Sequence, residues 1–488
     1  MLTLKPSSIL QALVIAIYVA FIIFSPSLHF MPNFMFLHDS QRLLQLILLV
    51  FVLLNSMLIM QAPCNLMPIE KKSRCAFYIL LILAGISSFL SQNPRHAMIE
   101  VSIFAALAYL SLFFASLYLK NKELFISRLM LGLWISITLY LFAFYVGYIT
   151  ACANRTPLDW PAPILGFNNV RSFNQYQLWG LGLAYLPLLT HDLKKKIRLS
   201  LNLLLVCWWI ILFYSASRGV LVAWFVGIAI TALIYRKVTM PFLRLQLIHI
   251  VAGFCAYLLL FKIAPHLIQM DLVAREIVRS STNDRTELWE IAIDMTRNYP
   301  IFGAGPMHYP WFGPSKFHPH NSVLQLTSEW GLPATFIMLA LAGYGVISWL
   351  ERFNAKQIEA NANIDRNFAI LLFFTICTNA AYSLVDGVIV MPMSQVMMFT
   401  VIGIMIGQYC YGHVELAQTK PIKSKFKFRP IFAGIALMAI TWSNLPELEK
   451  GLAGDERGFS LGADRINPRI WIQMVPPLKK EEIKNANS

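Results

Sequence analysis

Apolar stretches close to the length of a membrane crossing recur along this chain, and that recurrence restricts the fold more than any other property of the sequence. A helix rising about 1.5 Å per residue needs roughly 20 apolar residues to cross the hydrocarbon core of a bilayer. Runs of that kind lie near 9–25, 43–60, 76–92, 98–119, 129–150, 177–190, 199–215, 219–235, 245–263, 322–349, 367–388, 394–411 and 429–446. In lipid each backbone N–H and C=O must be satisfied within its own segment, so such runs become helices. The expected fold is an all-α polytopic membrane protein with about 13 (12–14) transmembrane helices. Composition agrees, with 57% hydrophobic and 13% charged residues, against about 45–50% and about 25% in soluble chains, and a mean hydropathy of +0.59. The first run follows a single lysine, Lys5, and lacks a small-residue cleavage site, so it is expected to be a retained helix.

Orientation follows from the cations, because cytoplasmic loops are enriched in Lys and Arg. With the N-terminus inside, the inside segments carry Lys5; Lys71, Lys72 and Arg74; Lys120, Lys122 and Arg128; Lys194–Lys196 and Arg198; Arg236, Lys237 and Arg244; Arg352, Lys356 and Arg366; and Lys420, Lys423, Lys425, Lys427 and Arg429. These make up over half of the chain's 40 basic residues, and every inside loop is basic. This orientation is expected to put the long loops 151–176 and 264–321 on the outer side of the membrane. This topology and attraction to anionic lipid account for the net charge of +15 without nucleic acid. The seven cysteines form no CxxC pair and read as packing residues. The inside loops are too short for a nucleotide-binding domain, and neither GxxxxGK[ST] nor GxGxxG occurs, which excludes transport driven by the chain's own ATPase. No internal repeat is visible. The chain divides into a transmembrane domain, 1–446, and a polar tail, 447–488, with no interpretable motif.

The outside polar residues that stand out are Arg218, Arg285 and the run His318-Pro319-His320-Asn321. Ionisable groups at a membrane face are expensive and mark candidate sites. An amphipathic helix is expected from Arg285 to Asn298, with Leu288, Ile291, Ala292 and Met295 on one face, ended by Tyr299-Pro300 and a turn at Gly303-Ala304-Gly305. Ser217 is placed to cap a helix beginning at Arg218, and His320-Asn321 enters another. Two outward helix N-termini and two guanidinium groups form an anion site suited to pyrophosphate. A snorkelling arginine explains Arg218 alone equally well. Beside a helix N-terminus His320 is expected to stay neutral and able to accept a proton, although a structural capping histidine is an equal reading. His308, His318 and His320 lack the usual zinc spacing, and no Asp-x-Asp occurs, so no metal is expected and cations must neutralise the leaving group.

Ser217-Arg218-Gly219, the stretch from Arg285-Thr286-Glu287-Leu288-Trp289 to Gly303-Ala304-Gly305, and His320-Asn321 followed by Glu329-Trp330-Gly331 resemble the O-antigen ligase superfamily over about 200–340. That superfamily includes O-antigen ligases, O-antigen polymerases and bacterial protein O-oligosaccharyltransferases. The resemblance implies a fold like that of GT-C-type glycosyltransferases. It also implies an undecaprenyl pyrophosphate-linked glycan donor bound by Arg218 and Arg285, and an acceptor hydroxyl activated by His320. The ligase pattern ends Gly-x-x-Gly, whereas this chain reads Gly331-Leu332-Pro333-Ala334. The segment Gly166 to Gln177 is similar to the protein O-oligosaccharyltransferase branches, as is Leu384-Val385-Asp386-Gly387 through Met391-Pro392. Asn321, Arg171, Gln175, Gln177, Trp289 and Asp386 are therefore expected to support the site or bind glycan. The implied reaction is inverting, metal-independent and free of cofactors. Its acceptor is a lipid A core, a growing glycan or an exported protein. O-antigen polymerase is the alternative enzyme, and a lipid-linked glycan flippase the alternative of another class.

Overall fold

A computed structural model of the chain describes residues 6–26, 37–58, 71–167, 169–190, 192–273, 285–312, 317–360, 365–416 and 429–452. Lys5, Cys64, parts of the 264–321 loop, the lysines at 420–427 and the tail beyond 452 lie outside the described residues. The chain builds helices α1 (Pro6–Phe24), α2 (Leu37–Leu58), α3 (Lys71–Leu90), α4 (Pro94–Lys120), α5 (Lys122–Asn154), α6 (Val170–Leu183), α7 (Leu186–Thr190), α8 (Lys195–Tyr214) and α9 (Arg218–Tyr235). It continues with α10 (Met240–Leu258), α11 (Ala264–Leu267), α12 (Arg285–Asn298), α13 (Ser322–Trp330), α14 (Leu332–Phe353), α15 (Ala355–Ala360), α16 (Arg366–Ser383), α17 (Pro392–Leu416) and α18 (Arg429–Leu452). Two-residue strands, Leu158–Asp159 and Leu272–Val273, pair in parallel and tie two loops together.

Each apolar run read from the sequence falls on a helix. Among the described residues eight helical stretches are long and apolar enough to cross a membrane, one of which, 218–267, contains both α9 and α10. The chain is an all-α polytopic membrane protein. Its helices meet through small residues, as expected where lipid offers no hydrophobic drive to associate. At Gly227 of α9 a Cβ would lie 1.9 Å from the Thr378 hydroxyl of α16, so only glycine lets these backbones approach this closely.

Two runs take a form the hydropathy pattern does not predict. The run at 177–190 becomes α6 and α7, and α6 starts earlier, at Val170, in a polar stretch. Its residues from Ser172 to Leu183 are buried by protein. Two of its polar side chains are anchored at that depth by bonds to neighbouring helices, Gln177 donating to the Trp208 carbonyl at 2.8 Å and Trp179 to the Ser394 hydroxyl at 2.9 Å. The run at 322–349 is two helices, not one, because Gly331 has a φ of 84° and breaks it. Around that break Leu332 N–H donates to the Pro300 carbonyl, Ala304 N–H to Ser328 and Gly305 N–H to Glu329. The turn after α12 is thereby stitched to the end of α13. The resulting cap has its own core of Leu288, Ala292, Met295, Ala304 and Tyr309. The bounds of α12 and its buried face are those the sequence predicts, with Ile291 packed at the edge.

Gly331→Ala is expected to destabilise the protein by about 1–3 kcal/mol, the usual cost of a strained backbone. The added Cβ would also lie 2.2 Å from the Ile301 carbonyl oxygen. Gly343→Ala, in a helix with nothing within 4 Å of the new Cβ, should be neutral or slightly stabilising. Thermal melts of the two purified variants in detergent check this, and equal melting temperatures would contradict the cap geometry.

Candidate active site

Helix ends and loops converge on one cavity of about 430 Å³. Its walls are the Trp160-Pro161 segment, the start of α6, residues 215–219, Arg285 at the start of α12, the Phe317–His320 loop, and Tyr382, Asp386 and Met391 from the end of α16 and the loop after it. α8 leads to the cavity from Lys195, α9 leads away from it to Arg236 and Lys237, and α16 leads to it from Arg366. Helices of this length put those basic ends about 30 Å from the cavity.

At its centre is His320, in a left-handed conformation with φ 53°. The turn is held from three sides. Trp289 donates its indole N–H to the Pro319 carbonyl at 3.1 Å. His320 N–H donates to His318 Nδ1 at 3.1 Å. Asn321 accepts from the Val323 and Leu324 N–H groups and so caps α13. Across the ring Asp386 Oδ1 lies 3.4 Å from His320 Nδ1. The same carboxylate accepts from the Tyr382 hydroxyl at 2.6 Å and the Gly387 N–H at 2.7 Å. Gly387 is a contact point, since a Cβ there would lie 2.5 Å from the His318 ring. Behind this loop the buried Arg42 of α2 donates to the Val390 carbonyl and to Gln395 Oε1, both at 2.7 Å.

These contacts fix the charge states. Burial pulls the His320 pKa below its ordinary value and Arg171 and Arg285 add to this, while Asp386 opposes it. Burial raises the Asp386 pKa, but the hydrogen bonds from His320 and Tyr382 outweigh it and hold the carboxyl below the usual range. The resting pair is thus a neutral imidazole against a carboxylate. That pair is set up to accept a proton at Nε2 and to stabilise the imidazolium formed. The direction for His320 is the one the sequence predicts, but burial, not a helix N-terminus, leads it.

Arg171, Arg218 and Arg285 share the cavity. Arg285 is half-buried; desolvation and the Arg171 charge draw its pKa down, and its Nε has no hydrogen-bond partner among the described residues. Arg171 Nη1 lies 2.6 Å from His320 Nε2. Ser217 stands at the N-cap of α9 but makes no capping bond, its hydroxyl being engaged with Tyr382. The positive end of α9 therefore faces the cavity without a serine cap, while that of α13 is closed by Asn321. One open helix end, not two, accompanies the arginines.

His318, His320 and Asp386 offer ligand atoms within 4.8 Å of one another, so a carboxylate does join the histidines that the sequence spacing leaves incomplete. Arg171 on Nε2 and the surrounding guanidinium groups oppose a divalent cation there.

Of the residues singled out in the sequence, His320, Arg218, Arg285, Arg171, Gln175 and Asp386 line the cavity. Asn321, Trp289 and Gln177 do not; the first two hold the His320 turn and the third bonds to α8. Tyr382 and Asn174 line it without having been singled out. Tyr382 lies four residues before Asp386, a spacing that brings side chains together around a helix end. Asn174 is wholly buried with neither amide atom partnered among the described residues.

A family model described as O-antigen ligase matches residues 203–339. An O-antigen ligase superfamily domain thus occupies that part of the chain. The matched domain contains Arg218, Arg285 and His320 and leaves Arg171, Tyr382 and Asp386 outside. It places the protein among membrane enzymes of the glycosyltransferase type. Comparison with curated proteins yields no match.

Asp386→Asn should lower the transfer rate by about 10²–10⁴-fold, because an amide cannot stabilise the imidazolium. Tyr382→Phe removes one hydrogen bond to the carboxylate and should cost about tenfold. Rates measured with purified variants check the order, and an unimpaired Asp386→Asn would remove the carboxylate from the chemistry.

Proposed function

We propose that this chain transfers a glycan from undecaprenyl pyrophosphate to an acceptor hydroxyl at the periplasmic face of the bacterial inner membrane. One observation carries the reading: a histidine backed by a carboxylate shares a cavity with three arginines. In the proposed reaction His320 Nε2 takes the acceptor proton and the acceptor oxygen attacks the anomeric carbon. The bond from that carbon to the pyrophosphate oxygen breaks with inversion. Arg218 and Arg285 stabilise the departing pyrophosphate, the type of electrostatic term that commonly dominates catalysis. The activated donor supplies the driving force, so neither a nucleotide nor a metal is needed. A base paired with a carboxylate serves bond formation and has no use in a flippase. The acceptor is a lipid A core, a growing glycan, as in a polymerase, or an exported protein. The orientation is supported by the basic ends of α8, α9 and α16, which lie away from the cavity.

His320→Ala is expected to lose transfer by about 10²–10⁴-fold while donor lipid still binds. Arg218→Ala and Arg285→Ala should weaken donor binding as well as rate, and lysine should rescue them only in part, having no bidentate fork. Transfer from a defined lipid-linked glycan in EDTA, for wild type and these variants, is the decisive assay. Full activity of His320→Ala, or loss of wild-type activity on chelation, would sink the mechanism.

The pH profile gives a second check. A base with a lowered pKa stays neutral, and active, as pH falls through the ordinary histidine value of 6.5. The acid limb of kcat/KM, which reports the enzyme before donor binds, should therefore have its midpoint below 6.5, and a midpoint above it would contradict the buried neutral imidazole.

Topology is tested in a background lacking the native cysteines. Arg155→Cys, at an exposed position in the 151–176 loop, serves as the outside probe. A membrane-impermeant reagent should label it in intact spheroplasts and should label Lys196→Cys only after lysis. The reverse pattern would invert the orientation.

A further inference from the structure

We propose that Arg171 is a cap on the base, released by the donor, so that His320 becomes able to accept a proton only once a pyrophosphate occupies the cavity. The inference rests on the pyrophosphate reading above and adds an order of events to it. A neutral imidazole has one donor and one acceptor nitrogen. Nδ1 faces the Asp386 carboxylate at 3.4 Å, which makes it the donor. Nε2 is then the acceptor, and Arg171 Nη1 stands against it at 2.6 Å, with the same atom 3.5 Å from Nδ1. In this state neither nitrogen is open to an acceptor hydroxyl.

The surrounding charge shows how the cap comes off. The nearby carboxylate, Asp386, is already committed to Tyr382, Gly387 and His320. Arg171 therefore bonds a neutral ring while Arg285 repels it. A guanidinium gains more from a phosphate, through two parallel charge-assisted bonds, than from one neutral nitrogen. Arg171 is half-buried in the first turn of α6, and rotation of its long side chain is enough for the exchange without moving the helix. Donor binding then bares Nε2 and places the third arginine on the leaving group, and departure of the pyrophosphate restores the cap. The device makes binding donor-first and keeps the base shut when no sugar is ready.

The test uses full-length protein in detergent and diethyl pyrocarbonate, which acylates an imidazole nitrogen whose lone pair is available. Modification of His320 is followed by peptide mass spectrometry, with His308, buried outside the cavity, as the reference for unfolding. Removing a hydrogen bond from a charged donor in Arg171→Met should speed modification of His320 by about ten- to a hundredfold, with His308 unchanged. Arg171→Lys should lie between the two. Inorganic pyrophosphate should accelerate the wild type and not the Met variant. Wild-type reactivity in Arg171→Met, or pyrophosphate that binds by ³¹P NMR yet leaves wild-type His320 as slow as before, overturns the cap. Failure of pyrophosphate to bind would instead strike the donor reading, and the comparison of Arg171→Met with wild type in the absence of anion would still decide the cap.

Discussion

A carboxylate that stays ionised while wholly buried is the interaction on which this site depends. An isolated charge at that depth would cost several kcal/mol, and Asp386 avoids this by accepting from Tyr382 and Gly387 and facing His320. Its negative charge orients the imidazole and offsets part of the repulsion among Arg171, Arg218 and Arg285. Without it three guanidinium groups would share a half-enclosed space with no counter-charge from the protein. With it the cavity keeps a positive balance that an anion can complete. The glycine beside it serves the same end, because Gly387 lets the His318 ring pack directly on the backbone.

The fold was legible in the sequence to the extent that hydropathy determines it. Bilayer thickness sets helix length, so the apolar runs translated into helices, and the amphipathic spacing of α12 gave both its ends and its buried face. Hydropathy is blind to backbone conformation. It ran through Gly331 without registering a left-handed residue, and so joined α13 to α14. It also began a run at 177 and so missed the first two turns of α6, from Val170, where the buried Asn174 and Gln175 give no apolar signature.

The site divides along similar lines. Arg218, Arg285 and His320 were legible because cations and a histidine at a membrane face stand out against an apolar background. Their partners were harder to assign. Nothing local in the sequence says that Asp386 lies beside a residue 66 positions earlier, or that Arg171 reaches Nε2 of His320. Those pairings are made by helix packing, and only resemblance had marked either residue. The expected Ser217 cap fails because its hydroxyl is engaged with Tyr382 and not with the first-turn N–H groups of α9.

The clamp on the Asp386 loop reaches further than local stability. Arg42 belongs to the second helix of the chain, yet it holds Val390 and Gln395, more than three hundred residues away. The recognisable domain at 203–339 therefore does not contain the means of shaping its own cavity. A chimera that exchanges the matched domain between relatives would have to carry the residues around 42, 171 and 386 along with it.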